Sequence, residues 1–430
     1  MKIRQGHAMR QSPRVECLER RELLNAARVV WTEAHVASRG NIHTVDVAPA
    51  GVHATTPVTR PVTAAATSPS TATFIDPTAV IHDPSATMIG MQVYVAPFAT
   101  LNAMGGGTIT IGNGSNVQDS VEILALGPRA NVVIGDHVIL AHNATIDGPA
   151  TIGATGGAPA FVGFNAIIDG ATVEPGAMVS SLAKVAPGIV IPTGFKVKPG
   201  MYIRTQAQAQ DLSLGKVEEV TDDDIVFMNG VIHVNESLAE GYSEQALQSP
   251  SSVHGIGPNP PTPPFSPISS IPVLAGVPTT DPSFRSRIIG AVQMADSLSQ
   301  LKNVMGHGDS IRGDEASPFL IGKIAQMADR VTIHGLEFSN LVAGHGNSYG
   351  FHSVIHGGRD SGQNPNETTV IGSRVRIGDW AVVFRSTIGD KCVIGPYAYV
   401  DSSTLAPGTV VPPGAIIVNN QYLGQVEWIR

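Results

Sequence analysis

Small aliphatic residues recur every six positions through most of the chain. In the N-terminal half they fall at Ile75 and Ile81, at Ile89, Val95 and Leu101, at Ile111, Val117 and Ile123, and at Ile134, Leu140, Ile146 and Ile152, followed by Val162 and Ile168. Several stand directly before glycine, as in Ile89-Gly90, Ile111-Gly112, Ile134-Gly135 and Ile152-Gly153. An amphipathic helix needs a period near 3.6 and a half-buried strand a period of 2, whereas a period of six fits hexapeptide coils, each hexad forming one face of a triangular prism. One aliphatic per face points inward, and its small neighbour turns the corner. The pattern returns after residue 280, with Ile321, Met327 and Ile333, then Ile371, Ile377 and Val383, then Ile388, Ile394 and Val400. The reading is an all-β chain of two parallel β-helices.

The gaps in the pattern divide the chain into residues 1–70, 71–247, 248–280 and 281–430. Residues from about Gly40 to Ser70 are rich in Ala, Thr and Pro and read as a linker. The stretch 248–280 carries enough proline to preclude a hydrogen-bonded ladder and predicts an extended spacer. Near the N-terminus, VECLERRELLNAARVV predicts a charged helical segment. It resembles the LEPR-XLL segment of exported bacterial proteins, with Arg20-Arg21 where that motif has proline. That resemblance implies a bacterial protein exported or held at the cell surface, the alternative being a cytoplasmic one.

Composition narrows the chemistry. The 46 glycines and 31 prolines suit short strands joined by tight turns. A net charge of −8 gives no electrostatic reason to bind nucleic acid or an anionic membrane surface. No apolar run is long enough to span a bilayer, and no uninterrupted apolar core follows the first residues. The two cysteines, Cys17 and Cys392, form neither a disulfide framework nor a thiolate motif, so a metal would need histidine or carboxylate.

Three blocks then resemble the gamma-class carbonic anhydrases: NGSNVQDSVEILALG (113–127) with its Asn116-Val117-Gln118-Asp119; VTDDDIVFMNGVIHVNESLAEGYSE (220–244), similar to that family's C-terminal helix; and SIRGDEASPFLIGKIAQMADRVTIHGLE (310–337). The resemblance covers about 72–247 and 281–430. It implies two left-handed, hexapeptide-repeat, trimeric LpxA-like β-helices, the first followed by an α-helix. It also implies reversible hydration of carbon dioxide to bicarbonate at a metal, zinc or alternatively iron or cobalt, held by three histidines. One of these is lent across a threefold ring by the neighbouring subunit.

By the family's slots, the N-terminal half has Leu124, His142 and Asp147, keeping only the lent histidine. The C-terminal half has His334 and His356, with Phe351 in the lent slot and His352 one position late. The halves complement each other, so His142, His334 and His356 would make one site per chain at most. Gln118 takes the family's orienting position, Asn235 its active-site asparagine, Glu315 and Glu337 its proton relay, and Arg312 and Asp314 its intersubunit pair. Asn102 and Met104 stand where the N-terminal half would need that Arg and Asp, and Ala328 replaces the glutamine in the C-terminal half. Because a ring needs three β-helices, the resemblance implies a homo-oligomer or a hetero-trimer with other gamma-type domains. Other arrangements remain open at this point: a site using His352, a site including Asp147, a catalytically inactive scaffold, and a hexapeptide acyltransferase.

Overall fold

The computed structural model describes residues 71–261, 269–315, 318–336, 339–358 and 368–429. The N-terminal segment and Glu337 lie outside the described residues. The chain winds into two left-handed parallel β-helices, each a prism of three sheets. Among the described residues, the first prism has faces of eight, seven and six strands, and the second has faces of nine, eight and five. Strands of two to four residues stack coil on coil in parallel register, as in Ile123↔Ile146↔Ile168 and Ile311↔Ile333↔Ile355.

The six-residue aliphatics form the two cores, since side chains alternate along each short strand and one per face must point inward. Ile111, Ile134 and Ile152 share one core with Leu101, Val117 and Leu140; Met327, Ile333, Ile377 and Val400 share the other. The glycines after the aliphatics let successive coils approach. A Cβ on Gly135 would stand 2.3 Å from the backbone nitrogen of Ala154.

The second prism starts earlier than proline content predicted. Within the stretch read as a spacer, Ile256–Gly257 pairs in parallel with Ile288–Ile289, and Val273–Leu274 pairs with Gln293–Met294. Ile256 and Leu274 are buried in the second core. Pro258, Pro260, Pro261 and Pro272 fall outside these two-residue strands, where no ladder donor is needed.

A 27-residue helix, Asp222–Gln248, closes the first prism. Thr221 and Asp224 form a reciprocal capping box, and Asp222, Asp223 and Asp224 put negative charge at its electropositive end. Met228, Val231, Ile232, Asn235, Leu238, Ala239 and Tyr242 are buried at helical spacing. This face seals the seam between the prisms. Its first turns pack in one cluster with Ile139, Phe161 and Met178 of the first prism and Val354, Val382 and Phe384 of the second, and its later turns pack in another with Phe74, Tyr94 and Ile289.

Corner residues complete the seam. Asn143 (φ 60°) and Asn165 (φ 55°) turn corners of the first prism, and His352 (φ 54°) and Trp380 (φ 60°) turn corners of the second. Asparagine enters this left-handed region more readily than most residues. Both asparagine Nδ2 groups donate to the His352 carbonyl, at 3.0 and 3.1 Å, and Asn165 also donates to the Trp380 carbonyl at 3.0 Å.

Candidate metal centre

On the seam face of the second prism, inward Ile311, Ile333, Ile355 and Val383 alternate with outward residues one position on. The outward side chains form a column down the sheet in which Ile289 pairs with Arg312, His334 with His356, and His356 with Phe384. Two histidines on neighbouring coils therefore stand side by side. Opposite them, the strand Val138–Leu140 of the first prism ends at the corner carrying His142.

The structure brings His142, His334 and His356 together within one chain. One ring nitrogen from each lies within 4.8 Å of the others. The ring centroids form a nearly equilateral triangle, 5.2 Å for His142–His334, 5.2 Å for His142–His356 and 5.1 Å for His334–His356. All three are buried, with relative exposures of 0%, 3% and 3%. His334 Nδ1 and His356 Nε2 are 3.2 Å apart, close to the ~3.3 Å separation expected of two ligands at about 2.0–2.1 Å around a tetrahedral metal.

Each ring is held by partners that leave a nitrogen free for the centre. His356 Nδ1 donates to the Gly357 carbonyl at 2.5 Å, directing Nε2 inward. His142 Nδ1 lies 3.1 Å from Asp119 Oδ2, while its Nε2 is buried without a hydrogen-bond partner. Burial pushes His142 down to about 4 against the opposing pull of Asp119, and burial, then the other two rings, push His356 well below the ordinary range. His334 moves the other way: burial and Arg312 would lower it, but Glu315 and Asp314 prevail and raise it. The orphan Nε2 of His142, facing the adjacent nitrogens of His334 and His356, fits a divalent cation, because burying an unpaired ring nitrogen is otherwise costly.

A polar network backs the triangle on the His334 side. His334 Nε2 lies 3.3 Å from Asp314 Oδ1, 3.3 Å from Glu315 Oε1 and 3.1 Å from Arg312 Nη2. Arg312 also reaches Asp314 Oδ2 at 3.1 Å, the Tyr94 hydroxyl at 2.6 Å and, across the seam, Asp119 Oδ2 at 3.2 Å. Tyr242 of the long helix donates to Asp314 Oδ2 at 2.5 Å, and Ser310 donates to Asp119 Oδ1 at 2.5 Å. Burial alone would raise both carboxyls. Arg312 and the neighbouring histidines instead hold Asp119 well below the carboxylate range and Asp314 at about 2.

The resemblance pairs Arg312 with Asp314, and the structure adds Asp119 as the partner that crosses the seam. Its position beside Gln118 in the quoted block was the available signal. Gln118 is buried in the first prism. Asn235 is buried in the long helix, where its Nδ2 donates to the Val231 carbonyl at 2.8 Å. The two alternative ligands lie elsewhere. His352 is stacked on Trp380 with centroids 4.3 Å apart, and Asp147 pairs with Leu124 and Asp169 on another face of the first prism. Among the described residues neither belongs to a cluster able to hold a metal; the one other such group is Asp314, Glu315 and His334.

Fold and site together define a hexapeptide-repeat β-helix protein with a buried histidine triad between two prisms. The chain is 36% identical over 212 residues to a carbonic anhydrase of Methanosarcina thermophila, spanning 43% of this chain and 80% of that one. It belongs to the gamma-class carbonic anhydrase family. It is also 30% identical over 163 residues to the carboxysome assembly protein CcmM of Nostoc sp., covering 36% of this chain and 28% of that protein's length. Similar solved structures include a hexapeptide transferase family protein from Anaplasma phagocytophilum, 21% identical over 39% of this chain and 91% of its own, with TM-score 0.31. A putative acetyltransferase of Bacillus cereus is 15% identical over 39% of this chain and 99% of its own, with TM-score 0.21. No family model matches the chain. No helix among the described residues is long and apolar enough to cross a membrane.

Proposed function

We propose that this chain hydrates carbon dioxide reversibly to bicarbonate at a metal centre shared by its two prisms. The observation that carries the reading is the convergence of His142 with His334 and His356 at a seam internal to one chain. Zinc, iron or cobalt suits three neutral imidazoles, and such a metal, when bound, makes a coordinated water acidic enough to ionise near neutral pH.

The chain's own residues supply the rest. Gln118 and Asn235 orient carbon dioxide and bicarbonate, as their family positions imply. Glu315, whose Oε1 lies 3.3 Å from His334 Nε2, accepts the proton released at the centre, as its family position implies, with Glu337 as a further relay to solvent. Asp119 fixes the orientation of His142, and Arg312 ties Asp119 to Asp314. One centre per chain is expected, because the other slots hold Leu124, Asp147 and Phe351. A third gamma-type prism would complete a ring.

Those lost slots also favour a second reading, an assembly scaffold that keeps the prism and forgoes catalysis. The deciding experiment is stopped-flow carbon dioxide hydration by protein loaded with zinc or cobalt, beside His334→Ala. Turnover in the parent that falls about 100-fold or more in the variant supports the proposal. A fully metal-loaded parent no faster than buffer leaves the scaffold; acetyl-CoA consumption would instead indicate an acyltransferase.

A further inference from the structure

The two sides of the imidazole triangle are chemically unlike. Arg312, Asp314 and Glu315 crowd His334. On the other side, Phe164 lies nearly parallel to His142, at 5.5 Å between centroids and 10° between planes, and its ring is 5.0 Å from His356 and 5.6 Å from Phe384. Phe384 is itself 5.5 Å from His356 and follows it by one coil in register. Both phenylalanines are buried, at 7% and 5% exposure. Phe164 comes from the prism that carries His142 and Phe384 from the other, so this wall, like the triad, exists only when the prisms meet.

We propose that Phe164 is the specificity-determining residue of the centre: with Phe384 it forms an aromatic wall that admits a small apolar molecule to the triad and disfavours anions. The inference rests on the carbon dioxide reading above and deepens it. An anion moving against this wall loses hydration and gains no donor in return, and the face of a benzene ring presents negative charge to it. Carbon dioxide, uncharged and weakly hydrated, meets neither cost. The wall thereby separates where substrate arrives from the carboxylate side where a proton leaves.

The test uses the full chain loaded with cobalt(II), with thiocyanate as the anion probe read in the visible absorption bands of the metal. Phe164→Ala is compared with Phe164→Leu, which keeps apolar bulk, and with Phe161→Leu. Phe161 lies in the same apolar cluster and packs edge-on against Phe227, with centroids 5.7 Å apart. Removing the wall is expected to raise KM for carbon dioxide and tighten thiocyanate binding, each by about 5-fold, in Phe164→Ala. Phe164→Leu should fall between it and the parent, and Phe161→Leu should bind thiocyanate as the parent does. A metal-loaded Phe164→Ala with unchanged KM and thiocyanate affinity would overturn the inference alone. So would loss of metal in Phe164→Ala with retention in Phe164→Leu, which would make Phe164 a support for His142. A parent that takes up no cobalt overturns the carbon dioxide reading and the wall with it.

Discussion

Replacing Asp119 by asparagine tests how the seam and the triad are coupled. Asp119 is fully buried, and one oxygen, Oδ2, faces both Arg312 Nη2 at 3.2 Å and His142 Nδ1 at 3.1 Å. The amide keeps the shape and can still accept the 2.5 Å bond from Ser310. It removes the charge opposite a buried guanidinium that retains only Asp314 as an ionic partner. Breaking a buried pair from one side costs about 3–5 kcal/mol, and the retained Asp314 contact and isosteric packing bring the expectation to about 2–3 kcal/mol. The same change removes the carboxylate that orients His142, so metal affinity should weaken about 10- to 100-fold. Urea unfolding of metal-free protein reads the first effect, and zinc competition against a chromogenic chelator reads the second. A metal-free Asp119→Asn within about 0.5 kcal/mol of the parent, with zinc affinity unchanged, would refute the reasoning.

Further expectations concern the seam and the coils. Asn165→Ala removes Nδ2 bonds to the His352 and Trp380 carbonyls and should cost about 2 kcal/mol in urea unfolding while metal stoichiometry is kept; an unchanged midpoint would count against the corner contact. Gly135→Ala forces a Cβ to 2.3 Å from Ala154 nitrogen, and should lower stability by about 2–3 kcal/mol or more. Lys196 bonds Asp224 and Glu218; burial opposes its charge, but these partners raise its pKa, while Thr221 and Lys196 lower that of Asp224 against burial. The Asp224 contribution is therefore present above the unfolded carboxylate pKa and lost on acidification below about pH 4, and the Lys196 contribution is present below about pH 10 and lost above it. Asp224→Asn should flatten the acid limb of stability against pH, and an unaltered limb would remove Asp224 from the account.

The prisms were legible because one aliphatic per hexad is a local pattern. Ile134, Leu140, Ile146 and Ile152 announce three faces of a coil without knowledge of anything distant. The triad was legible differently, through complementary losses: His142 alone in one half, His334 and His356 alone in the other. Asp119, Tyr242 and Phe164 were harder to assign, since each acts on a residue of the opposite prism or another coil, through contacts that no spacing encodes. The early strands at Ile256 and Val273 were hidden by brevity, two residues each among prolines. His352, an alternative ligand one position late in the sequence, stands at a left-handed corner stacked on Trp380 and belongs to no metal-capable cluster among the described residues.

The central claim is that one metal sits between the prisms, with His142 crossing the seam to reach it. The measurement that tests it most directly is metal content per chain by elemental analysis after zinc loading and gel filtration, for the parent, His142→Ala and His352→Ala. About one equivalent in the parent and in His352→Ala, and close to none in His142→Ala, is the predicted result. Retention of metal in His142→Ala would place the site within the second prism and contradict the account.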